Sequence, residues 1–163
     1  MLIRWLALVA IVLPLGAFAQ PAAPIIQPEV RAIGAVPGSM QQVFGTEAVR
    51  AAVNQAIEAN GYRAGAGVEG VPVATYVLRV QYIVHAQPGA DTPLVAASAS
   101  TQLLEGSDIG GGRLTLALYD GIQQSVRQAS ELAEAGIAVR EAFDTELADR
   151  IGKALAHLDR LRR

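Results

Sequence analysis

The sequence predicts an α+β domain, a small mostly antiparallel sheet with two helices packed on one face. Three observations lead there. Apolar residues recur at helical spacing in two separated segments, 46–60 and 139–158. Between them, residues 74–86 and 113–120 alternate apolar and polar in the period of a half-buried strand. Two amphipathic helices and a sheet with one apolar face satisfy each other when the helices lie side by side on it.

The chain opens MLIRWLALVAIVLPLGAFAQ. Arg4 supplies a positive start, residues 6–15 an apolar run, and Ala17-Phe18-Ala19 the small-x-small pattern of a signal-peptidase site. Residues 1–19 are therefore read as a signal peptide for export, and the run is too short for a membrane span of about 20 apolar residues. Residues 20–45 follow as a proline-containing leader. Gln20 to Pro28 reads as extended, and Glu29 to Val36 as a first strand before the turn signal Pro37-Gly38-Ser39. Residues 46–163 form a single domain.

That domain starts with Thr46 as N-cap and Glu47 at the positive end of the helix dipole. Val49, Val53, Ala56 and Ile57 make its apolar stripe, and Gly61 ends it in a left-handed turn. ATYVLRVQYIVHA, residues 74–86, is the central strand. Tyr76, Leu78, Val80, Tyr82 and Val84 belong to the buried face, and Arg79, Gln81 and His85 to a mixed face open to solvent. Leu94 to Leu104 reads as another strand. RLTLALYD, 113–120, alternates again, and Asp120-Gly121 signals a hairpin whose returning strand is Gln124 to Leu132. Val126 stands there among polar residues, which marks an edge. From Val139 the stripe Val139, Phe143, Leu147, Ile151, Ala154, Leu155, Leu158 defines the last helix, with Glu146–Arg150 and Asp149–Lys153 pairs one turn apart.

Little in the chain advertises chemistry. A net charge of −2 without clustered cations excludes nucleic-acid binding. There are no cysteines, hence no disulfides, no thiolate metal site and no lipid-modified cysteine at the cleavage point. A single lysine and abundant alanine point to a GC-rich bacterium, and so to the periplasm. GAGVEG, 65–70, has the glycine spacing of a dinucleotide turn. Here a helix precedes it and a strand follows, so no helix N-terminus is offered to a pyrophosphate, and nucleotide binding is not expected. His85 and His157 are not at metal-ligand spacing, and no serine sits in a nucleophile motif. No catalytic residue, cofactor or metal is expected. The basic end, Arg160-Leu161-Arg162-Arg163, allows at most peripheral contact with anionic lipid.

AVNQAIEANGYR (52–63), YVLRVQYIV (76–84) and GRLTLALYDGIQQSVRQAS (112–130), with a final helix, resemble the bacterial envelope domain-of-unknown-function family 4136. The shared pattern is a helix ending in Gly61-Tyr62, a strand, and glycine-x-leucine with a later aspartate at Gly112, Leu114 and Asp120. It spans residues 46 to 160. Family members are commonly lipoproteins, whereas this chain has no cysteine, and Val126-Arg127 stands where a tryptophan-arginine pair is usual. The resemblance implies an envelope location and this fold, and no mechanism. The resulting expectation is an exported, non-catalytic binding or accessory protein with an envelope protein as partner. Its candidate surface is Arg79, Gln81, His85 and Val126. Alternatives are a lipid-like ligand held between sheet and helices, and a hydrolase assembled from distant residues.

Overall fold

The computed structural model describes residues 24–66, 75–87, 94–106, 113–128 and 132–163, with residues 113–128 described by their backbone path. The signal sequence, Gly67 and Gly70 of the glycine-rich stretch, the loop at 88–93 and the triple glycine at 110–112 lie outside these residues. In chain order the elements are β1 (Ile25–Ala32), a 3-10 turn (Gly38–Met40), α1 (Gln41–Phe44), α2 (Thr46–Ala59), β2 (Arg63–Ala64), β3 (Thr75–Gln87), β4 (Leu94–Gly106), β5 (Arg113–Gln128) and α3 (Leu132–Leu161).

The strands form one sheet in the order β2-β1-β3-β4-β5. The sheet is mixed, not mostly antiparallel: β1 runs parallel to both β2 and β3, while β3–β4 and β4–β5 are antiparallel. The cause is the connection. β1 and β3 are joined through α2, and a helical crossover returns the chain to the sheet in its starting direction, where a tight turn would reverse it. Antiparallel pairing is confined to the three long strands that follow one another in sequence.

The first strand begins four residues earlier than the sequence suggests and contains Pro28. Proline lacks a ladder donor and belongs on edges. Gly65 N–H donates to Ile26 O at 3.0 Å on the β2 side, so alternate positions, Pro28 included, point the same way. β2 reaches only Ile25 and Ile26. The missing N–H of Pro28 therefore falls beyond β2, where no strand of the described residues pairs with it.

Both helices lie on one face, as their stripes require. Ile26, Val30, Leu78, Val80, Tyr82, Ala97 and Leu103 from the sheet form one core with Val49, Val53 and Ile57 of α2 and with Val139 through Leu158 of α3. Every residue of the expected α3 stripe is at most 1 % exposed. Burial of each large aliphatic contributes about 1.5–3 kcal/mol, far more than the surface pairs Glu146–Arg150 and Asp149–Lys153, which do form at 3.2 and 2.5 Å. At the centre, Phe143 packs edge-on to Phe44 (centroids 5.6 Å) and Tyr82 (6.4 Å), and the Tyr82 hydroxyl donates to Phe44 O at 2.8 Å.

Three local expectations are corrected. Gly45, extended at φ −56° and ψ 149°, caps α2; Thr46 is its first helical residue, and its hydroxyl lies 3.4 Å from the Tyr82 hydroxyl. Asp120-Gly121 is not a hairpin turn. Arg113–Gln128 is one strand, so residues 124–128 continue it rather than return. Thr101 pairs with Tyr119 and Ala99 with Gln123, so β5 takes up two extra residues around Asp120-Gly121 as an irregularity in the ladder. The last helix starts at Leu132, where the sequence suggests a strand still running. The α2 C-terminus agrees with expectation: Gly61 has φ +79°, its N–H bonds Glu58 O, and Tyr62 N–H bonds Ile57 O, the Schellman pattern.

Candidate binding surface

With both helices on one face, the other face of the sheet is left to the odd-numbered positions of β1 and β3. Cross-strand register places Gln27 beside Val77, Glu29 beside Arg79 and Arg31 beside Gln81. Across the next ladder Arg79 faces Gln102, Gln81 faces Ser100, Ile83 faces Ser98 and His85 faces Ala96. Val77 and Leu104 are buried at one end; Arg79, Gln81 and Ile83 are half-buried, and His85 is exposed. Alternation along β3 thus yields an apolar end and a polar middle on one face.

The sequence-derived positions fall into two groups. Arg79 and Gln81 stand together over β1, and the Arg79 guanidinium donates to the Glu29 carboxylate at 3.0 Å. Both partners are about one-third exposed, so the pair contributes no more than ~1 kcal/mol and chiefly holds Arg79 in place. His85 lies six residues further along, roughly 20 Å away. It faces Ala96, which faces Val126, so Val126 is two strand spacings, about 10 Å, from His85. The surface is a broad face with two centres, not a single cluster.

Two shallow depressions border this face. One, of about 580 Å³, follows β1 from Gln27 to Arg31 and is flanked by Arg50, Arg79 and Gln81. The other, of about 490 Å³, lies where Ile33 to Pro37 leaves the sheet beside Ile83 to Gln87. Ile33 is 51 % exposed at its rim. Sequence reasoning did not single out Arg31 or Arg50. The available signal was Pro28, since a proline within a strand marks an open edge.

Among the described residues no group of three or more histidines, aspartates and glutamates is placed to hold a metal. His85 belongs to the open face of the sheet and His157 to α3, which covers the opposite face, so the two histidines do not meet. No hydrogen bond between a histidine and a serine is formed among the described residues. Gly65 is bonded to β1 within the sheet. Among the described residues no helix is long and apolar enough to cross a membrane. What the face offers is backbone pairing at its edges, guanidinium groups and small polar side chains.

The fold is that of a compact α+β class, a mixed sheet covered on one side by a crossover helix and a long C-terminal helix. No protein-family model and no curated protein sequence matches the chain. Solved structures do share the architecture. A hypothetical protein from Chlamydia trachomatis superposes with a TM-score of 0.56 at 7 % identity, covering 80 % of this chain and 96 % of that one. A Xanthomonas campestris protein of family DUF330 gives 0.52 at 16 % identity, covering 88 % and 90 %. A minor lipoprotein from Acinetobacter baumannii gives 0.49 at 16 %, covering 83 % and 95 %. For the first two, at such identities, the likeness is one of fold.

Proposed function

We propose that this chain is an exported accessory protein of the bacterial cell envelope that acts by binding a partner protein, without catalysis or cofactor. The observation that carries this reading is the one-sided sheet: helices cover one face, and Arg79, Gln81 and His85 stand on the other. A face of alternating polar groups bordered by strand edges suits docking of another chain. The leader MLIRWLALVAIVLPLGAFAQ supports export to the periplasm, and the resemblance of residues 46 to 160 to envelope family 4136 supports the same compartment. The filled space between sheet and helices, where Tyr82, Phe44 and Phe143 are buried, favours a surface partner over an internal lipid-like ligand.

The test is affinity capture from native envelopes with the wild type and with Arg79→Glu and Val126→Glu variants. The captured partner set is expected to lose members in at least one variant. An unchanged set in both contradicts docking at this face.

A further inference from the structure

Beyond β2, the edge of β1 has no strand beside it among the described residues. β2 pairs with Ile25 and Ile26 alone, while β1 runs on to Ala32. Ile33 N–H donates to Tyr82 O on the β3 side, and Ile26 accepts from Gly65 on the other. Because backbone groups alternate sides along a strand, Pro28, Val30 and Ala32 present theirs to the open edge. Val30 offers both a donor and an acceptor, Ala32 a donor, and Pro28 an acceptor only.

The surroundings of this edge are cationic. Arg31 is exposed and makes no ion pair among the described residues. Arg50 reaches the same depression from α2; its Nε is buried without a hydrogen bond and forms an ion pair at 3.6 Å with Glu47, whose side chain is exposed. Arg79 is matched by Glu29. Three guanidinium groups against the two carboxylates of Glu29 and Glu47 leave one positive charge unmatched among the described residues, that of Arg31 beside the β1 edge.

We infer that the β1 edge receives an extended acidic segment of the partner protein as an added strand. The inference rests on the binding reading above and gives the partner its chemistry. Backbone pairing to Val30, Ala32 and Pro28 O supplies attraction that any sequence can use. Charge supplies selection. A carboxylate opposite Arg31 lies within about 5 Å of it across the ladder, and a neighbouring residue of the added strand points to the other face, toward Arg50. A basic segment meets the unmatched charge of Arg31. Pro28 biases register, because a carbonyl of the incoming strand placed opposite its missing donor gains no hydrogen bond.

The experiment pans a displayed library of short random peptides against the purified chain, then follows amide exchange with a selected peptide. Recovered peptides are expected to be enriched in Asp and Glu between β-branched residues. The Arg31→Glu variant, altered at an exposed side chain, is expected to bind them about tenfold or more weakly. The Val30 and Ala32 amides are expected to exchange freely in the isolated chain and to slow when peptide is added. Recovery of no peptides, or of peptides without acidic bias, overturns the inference, as does binding unaffected by charge reversal. Slow exchange at Val30 and Ala32 in the isolated monomer also overturns it, and so does their protection in a dimer, where a second copy holds the edge. Partner capture that depends on Arg79 or Val126 while these tests fail leaves the binding function standing and removes only the acidic strand.

Discussion

Arg140 holds three structural segments with one side chain. Its guanidinium donates to Asp144 at 2.7 Å, to Ala48 O at 2.9 Å and to Val43 O, and it lies 5.7 Å from the Phe44 ring centroid. The side chain is 14 % exposed, so these acceptors have little water to turn to if it is removed. Arg140→Ala is expected to cost about 3 kcal/mol in urea unfolding, with Arg140→Lys recovering part of it. A loss below ~1 kcal/mol would show that the α1–α2 junction does not depend on this residue. Tyr62 makes a comparable tie at the other end of α2, donating to Asp159 of α3. Burial first, and then the Asp159 carboxylate, push its pKa up to about 12, with Arg162 opposing. A phenol whose folded pKa is raised is stabilised in its neutral form. Its contribution is complete below the unfolded value near 10 and is lost as pH climbs from about 10 to 12. Melting temperature should therefore fall more steeply with pH in the wild type than in Tyr62→Phe across that window. Parallel curves would mean that the phenol does not couple to folding.

At the scale of elements, the junction between α1 and α2 turns on Gly45. A Cβ there would stand 2.5 Å from Gln41 O, a backbone atom fixed by the preceding turn. Gly45→Ala is expected to destabilise by ~1–3 kcal/mol, measured by chemical denaturation. A neutral substitution would indicate that α1 shifts freely. The helices were legible in the sequence because burial alone sets their period. Val49, Val53, Ala56 and Ile57, and the residues from Val139 to Leu158, are the buried positions that spacing predicts. The alternation from Tyr76 to Val84 was legible for the same reason. Asp120-Gly121 was not. Its local preference for a turn is overridden by pairing with β4 on both sides of it, a long-range contact absent from local pattern. β1 was obscured by Pro28, which argues against a strand unless the open side of the sheet is already known.

For the whole molecule, strand order decides what can bind. Placing β1 between β2 and β3 gives a mixed sheet, and among the described residues β2 pairs with only Ile25 and Ile26 of β1. The face holding Arg79, Gln81 and His85 could be read from alternation; the edge flanked by Arg31 and Arg50 could not, because it exists only once α2 and β1 are brought together. The most direct measurement places a photo-crosslinking residue at Gln81, at His85, or at exposed Ala51 on the outer side of α2, in cells bearing the native envelope. The account predicts protein adducts from Gln81 or His85 and none from Ala51. Adducts from Ala51 alone, or from no position, would contradict it.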